Sequence, residues 1–337
     1  MASNELIYQG SIRIKDPISL FSRYHVTKKE INRWTMMIEA GNGEKAIDEF
    51  IAKYTTGPAE LYTAAMQDYL RIAESGEVPR SGLNKITTSV VAISSAYASN
   101  VISSFSTFVK EAVAPTIFEK FKITSPSVKQ SIFDATIAQF GNLTEGAMTM
   151  TQNNILTGIR QMQMEMIQRN QAMRSRVFAS SHLDKEVDDF KKRLKQTYPN
   201  YYKGMEEGRV LMDRNGKQWK LEDYATMATR TTILNVERTS VEIISKIGSQ
   251  RVVEYFLRDS RTLSSGNERE ICKEILSKKV LGKSVLAMDL KTARILGVFS
   301  LDTAKAKGAM GPWCRHSIRP VSKVYNRKLN RKYFPDN

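Results

Sequence analysis

The chain has 337 residues, a length that suits two domains, and its 41% hydrophobic and 9% aromatic content excludes wholesale disorder. Lys and Arg number 51 against 35 acidic residues; the resulting net charge of +16 favours an anionic partner (nucleic acid, a membrane surface or an acidic protein) over a protein that is merely basic. Two cysteines, Cys272 and Cys314, exclude a disulfide-dense secreted scaffold, and the polar opening MASNELIYQG lacks the apolar core of a signal peptide.

Residues Leu6 to Lys15 read as a short strand or hairpin arm, with Ile7, Ile12 and Ile14 among polar neighbours. Thr27, followed three residues later by Glu30, is a capping-box pattern that opens a helix with Ile31, Trp34 and Ile38 on one face; Gly41-Asn42-Gly43 stops it. A second helix runs from about Glu44 to Tyr54. A third follows Gly57-Pro58 and carries Leu61, Ala65, Met66, Tyr69 and Leu70; Gly76 and Pro79 mark a loop.

Between Lys85 and Lys110 lie 24 uncharged residues, long enough to cross a bilayer, but 11 of them are Ser, Thr or Asn. Ile86, Val90, Ile93, Tyr97, Val101, Phe105 and Phe108 step by threes and fours, which predicts a helix buried between neighbours, with no stable membrane insertion. Its small-residue face leaves a conditional membrane role open. Pro115 is expected to interrupt it. Ser125-Pro126 reads as a helix start, with that helix running through Phe140.

From Leu143 to Val177 one long helix is predicted. Met148, Ile155, Ile159, Met162, Met166 and Met173 form a heptad-like seam broken by Gln152 and Arg169. The seam is either a core-facing stripe of this chain or a docking face for another subunit, a second copy included. A charged helix then covers His182 to Gln196. Gly208 to Lys220 reads as a hairpin around Asn215-Gly216, because both central positions of its turn need positive φ. Leu221 to Ile247 is helical with Gly248 as its stop, Arg251 to Leu257 a strand, Asn267 to Leu276 a short helix, and 285–288 and 295–299 are strands. The fold class is therefore α+β, a mainly α-helical N-terminal part followed by a small α/β C-terminal module. The domains are 1–200, a helical part suited to docking; 205–322, the α+β module; and 323–337, a basic aromatic tail.

No phosphate-binding glycine loop, dinucleotide fingerprint or nucleophile elbow is present, and His25, His182 and His316 lie far apart in sequence. No catalytic residue, cofactor or metal is assigned, and the chain is read as a non-enzyme. Reactive residues are densest near the C-terminus. Cys272, Cys314 and His316 number enough for three zinc ligands, but their spacing matches no common finger; a Cys272–Cys314 contact, reduced or oxidised, and two unrelated core cysteines are the other readings. Asp259 and Arg261, at a strand end, read as a turn whose carboxylate bonds backbone amides; an Asp259/Arg261/His316 site acting on a nucleotide is the alternative. Arg319, Lys323, Arg327, Lys328, Arg331 and Lys332 form a basic tail interleaved with Tyr325, Tyr333 and Phe334. It either neutralises phosphates, with the aromatics free to stack on bases, or is solvated or lies on an acidic patch of a partner.

Three ordered pieces of the C-terminal part resemble the phage head-morphogenesis family named after the Mu F protein and its minor capsid relatives. The first is Gly216-Lys217-Gln218-Trp219, then Leu221-Glu222-Asp223-Tyr224, Met227 and Arg230-Thr231. The second is Arg258-Asp259-Ser260-Arg261-Thr262, followed by Cys272-Lys273-Glu274. The third is Gly311-Pro312-Trp313-Cys314-Arg315-His316-Ser317-Ile318-Arg319-Pro320. The set spans about residues 208–322. It implies a low-copy virion protein acting in head assembly, with Asp259, Arg261, Cys272, Cys314, Arg315 and His316 as residues of the module. It also implies a portal or major capsid protein and the packaged DNA as partners, host cytoplasm during assembly, and the capsid as final location. Two other functions remain as alternatives: an effector enzyme acting on nucleotides or nucleic acid and delivered with the DNA, and a membrane-active ejection protein using residues 86–109.

Overall fold

A computed structural model of the chain describes residues 17–74, 80–175, 192, 196, 207–209, 211–212, 218–257, 269–311, 314 and 316–335. The architecture is α+β, a helical N-terminal part and a small antiparallel sheet near the C-terminus. The chain divides into two compact units. One comprises Met1–Glu30, Glu44–Thr107 and Phe140–Thr226, the other Ile31–Gly43, Phe108–Gln139 and Met227–Asn337.

Helix α1 (Pro17–Phe21) lies in the first unit and is followed by α2 (Lys28–Glu39), which runs on into the second and whose start is set by the capping box. The Thr27 amide donates to Glu30 Oε2 at 3.1 Å, and the Glu30 amide donates to Thr27 Oγ1 at 3.4 Å. Helices α3 (Gly43–Ile51) and α4 (Gly57–Glu74) are joined by a π turn at Ala52–Thr56, so the helix predicted to Tyr54 changes pitch after Ile51. Helix α5 (Arg80–Phe108) buries the predicted stripe of Ile86, Val90, Ile93, Tyr97, Val101 and Phe105. Two of its buried hydroxyls are satisfied within the helix. Ser89 Oγ donates to Lys85 O at 2.8 Å and Ser94 Oγ to Val90 O at 2.7 Å, which is how so many small polar residues fit a buried helix. Among the described residues no helix is long and apolar enough to cross a membrane.

Pro115 does not end the helical run. A π turn at Val109–Val113, in which the Ala114 amide reaches Val109 O, leads directly into α6 (Ala114–Lys120) with the proline in its first turn. The two helices predicted from Ser125 to Val177 are one, α7 (Pro126–Ser175). The glycine at 141 is overridden by packing at Phe140, whose ring stacks on Phe105 with centroids 3.8 Å apart. On this helix Met148, Ile155 and Ile159 are buried, as the core-facing reading requires. The side chains of Met162, Met166 and Met173, the 6–15 arm, the Gly76/Pro79 loop, and the 182–196 helix apart from residues 192 and 196 lie outside the described residues. Strands β1 (Leu211–Met212) and β2 (Gln218–Trp219) pair antiparallel on either side of the predicted Asn215-Gly216 turn.

The second unit is built on the four-stranded sheet. Helix α8 (Leu221–Ile247) has the bounds the sequence predicts. Its stop differs: the left-handed residue is Ser249 (φ 48°), not Gly248, and the Gln250 amide closes onto Ser245 O at 2.8 Å in a Schellman pattern. Strand β3 (Val252–Leu257) lies between β5 (Lys283–Ala287) and β6 (His316–Pro320), with β4 (Lys279–Val280) outside β5; every pairing is antiparallel. Helix α9 (Glu270–Ser277) precedes β4. The strand predicted at 295–299 is a misreading. Leu290–Leu296 is α10, started by Asp289 Oδ1 accepting from the Thr292 amide at 2.8 Å and ended by Gly297 at φ 65°, and beyond it Ser300 forms a lone parallel bridge to Ala287. A further helix, α11 (Leu301–Ala306), is capped by Ser300, and the residues read as a tail form α12 (Lys323–Tyr333), capped by Ser322.

The period-2 alternation of β3 gives the sheet two apolar faces. Val253 and Tyr255, with Leu286 and Ile318, pack on Val241 of α8, Cys272 and Ile275 of α9, and Leu301 and Ala304 of α11. Val252 and Val285 on the other face pack with Val321 and with Tyr325, Leu329 and Phe334 of the α12 region.

Candidate functional site

The first sheet face ends in a cluster of polar groups. Cys314 sits just before β6 and His316 opens it; on extended backbone residues two apart point to the same side, so a Cys-x-His pair delivers both side chains to one place. Cys272 arrives from the first turn of α9, and Tyr255 from β3, one strand over, where it pairs with Ile318. The two Sγ atoms are 3.8 Å apart, and His316 Nδ1 is 3.6 Å from Cys314 Sγ. The Tyr255 hydroxyl donates to Cys272 Sγ at 3.2 Å and lies 4.0 Å from Cys314 Sγ, while its ring stacks on that of His316 with centroids 5.0 Å apart and planes 9° from parallel. All four side chains are buried.

A buried guanidinium holds the segment that carries Cys314 and His316. Arg238 of α8 donates through Nη1 to Met310 O at 2.8 Å and Asn235 Oδ1 at 2.8 Å, and through Nη2 to Cys314 O at 3.0 Å and to His316 O. Three carbonyls spread over seven residues of chain therefore converge on one side chain, and a delocalised cation with five donors in a planar fork is the group that can serve them all. Arg269 takes the other side and donates to Gly308 O. Its approach explains Gly311: a Cβ there would lie 2.7 Å from Arg269 Nη1 and 3.2 Å from Gly308 O, so the glycine makes room for the arginine.

The thiols are unequal. A hydrogen bond from the Cys272 thiol, with His316 adding to it against the opposing effect of burial, lowers Cys314 below the ordinary thiol range. The same bond to Cys314, together with burial, pushes Cys272 up. Both cysteines are free, and their 3.8 Å separation is well beyond the ~2.05 Å of a disulfide. Two sulfurs and an imidazole nitrogen, all within 4.8 Å of one another, form the one group of potential metal ligands among the described residues.

Of the module residues singled out from sequence, the structure brings together Cys272, Cys314 and His316, while Asp259, Arg261 and Arg315 lie outside the described residues. His316 is buried against Tyr255. Arg238 and Tyr255 were not anticipated. The signal for Arg238 was a charge in core-facing register with Thr231, Val241 and Ser245 on α8; for Tyr255 it was the alternation of RVVEYFL.

The cationic residues occupy a second surface. Lys323, Arg327, Lys328, Arg331 and Lys332 are exposed along α12, whereas Tyr325, Leu329 and Phe334 are buried beneath it. Tyr325 donates to Val280 O at 2.6 Å, and the Arg251 guanidinium lies 4.2 Å from the Phe334 ring centroid. Tyr325 and Phe334 are therefore anchors of the helix, not rings free to stack on bases. Arg319 is exposed but paired to Glu254 at 2.8 and 3.0 Å, and that carboxylate also accepts from Lys283.

Residues 187–332 match the model of the family phage minor capsid protein 2. The matched stretch contains the whole cysteine–histidine cluster, Arg238 and nearly all of α12, so it is the C-terminal module that is similar to this family. No curated protein and no solved structure matches the chain.

Proposed function

We propose that the chain is a low-copy component of the phage head that acts in head morphogenesis at the portal vertex or capsid interior and contacts packaged DNA without reading its sequence. The observation that carries this reading is the family match over 187–332, which supports a minor capsid role and with it a place in the virion among other capsid components. The helical part docks on a portal or major capsid protein. The net charge of +16 suits a protein held beside DNA.

The exposed face of α12 supplies the electrostatic part. Five cations along it, Lys323, Arg327, Lys328, Arg331 and Lys332, make a stripe of the kind that neutralises a run of phosphates and carries no base-reading geometry. Arg331 and Lys332 also lie in the last turn, where they complement the negative end of the helix dipole. Engaging all five phosphate contacts gives a log–log salt slope of about −4.5, so affinity for duplex DNA falls about 500-fold between 50 and 200 mM salt. Fluorescence anisotropy with duplexes of unrelated sequence checks this. Substituting Arg327, Lys328, Arg331 and Lys332 by Gln should flatten the slope towards about −1. Binding that ignores salt, or no binding at low salt, removes DNA from the function.

A further inference from the structure

We propose that Cys272, Cys314 and His316 bind one zinc ion. The distances among these side chains and the groups around them carry this reading independently of the capsid role. Tetrahedral zinc, with Zn–S bonds of ~2.3 Å and Zn–N of ~2.0 Å, sets two thiolates ~3.8 Å apart and a thiolate and imidazole nitrogen ~3.5 Å apart. The corresponding edges here are 3.8 Å and 3.6 Å. All three ligand atoms lie within 4.8 Å of one another, although they come from segments more than 40 residues apart and one of them is on a helix.

The surroundings are those of a ligand set held in place. The Tyr255 hydroxyl donates to Cys272 Sγ, and its ring, parallel to His316, fixes the plane of the imidazole. Arg238 bonds the carbonyls of both Cys314 and His316, so the backbone of the Cys-x-His pair is anchored at each ligand. No fourth Cys, His, Asp or Glu joins the group among the described residues. The sequence argued against metal because finger spacings place ligand pairs on turns. A Cys-x-His pair leading into a strand meets the same geometric demand by the two-residue repeat of extended backbone.

The test uses the full chain, produced with zinc, purified under reducing conditions without chelator and measured by plasma mass spectrometry. The expected content is about one zinc per chain. Anaerobic replacement by cobalt(II) should give a thiolate-to-cobalt charge-transfer band and the intense visible absorption of a tetrahedral site. Cys272→Ser should lose both. Because that variant also touches the core, Tyr255→Phe provides a second arm: it keeps every ligand, and its zinc affinity should drop about tenfold with the circular dichroism unchanged. Any of three results overturns the proposal: zinc below about a tenth per chain after reconstitution, an octahedral cobalt spectrum, or a Cys272–Cys314 disulfide that takes up no zinc once reduced.

Discussion

Arg238 shows how much of the module depends on one side chain. Three carbonyls of the 310–316 segment and the Asn235 amide oxygen are bonded by it in a buried setting. Bonds to a charged group contribute more than neutral ones, and removing one partner leaves the others buried without their donors. Arg238→Met should therefore lower stability by about 3 kcal/mol or more, measured by urea unfolding. A loss under about 1 kcal/mol would mean that these carbonyls find other donors. The residues of the cluster were legible unevenly. Cys272, Cys314 and His316 stand out in a sequence with two cysteines and three histidines, but their convergence does not. It depends on the β3–β6 register and on the angle at which α9 delivers Cys272, and neither is written in local spacing.

Elements with a strong local signal were readable, and those decided by packing were not. The capping box of α2, the apolar stripe of α5 and the start of α8 follow from residue type and period. The single course of α7 does not, because a glycine that weakens a helix in isolation is carried by the Phe140–Phe105 stack. The segment 295–299 was misread because ILGVF is apolar enough for a strand, whereas Asp289 and Gly297 set a helix start and stop on either side of Leu290–Leu296. The end of α8 is a place where the chain departs from the favoured residue. Ser249 holds φ 48° at the position that a Schellman motif ordinarily gives to glycine. Ser249→Gly should raise stability by about 0.5–1 kcal/mol, seen as a higher thermal midpoint. A lower midpoint would show that the serine side chain contributes more than the strained backbone loses.

At the scale of the whole molecule, charge and topology point the same way. The stripe on α12 is presented on a helix whose underside is part of the core of its own unit, so the cations are displayed on a rigid face and not on a solvated tail. The same arrangement explains why the aromatic residues of that stretch, read from sequence as free to stack on bases, are spent on docking. The central claim is that this chain is a resident of the phage head. Quantitative mass spectrometry of gradient-purified, DNA-filled particles tests it most directly. Its peptides should be found in every preparation, at a small fraction of the abundance of the major capsid protein and retained after a high-salt wash of intact particles. Particles of full infectivity from which the chain is missing would contradict it.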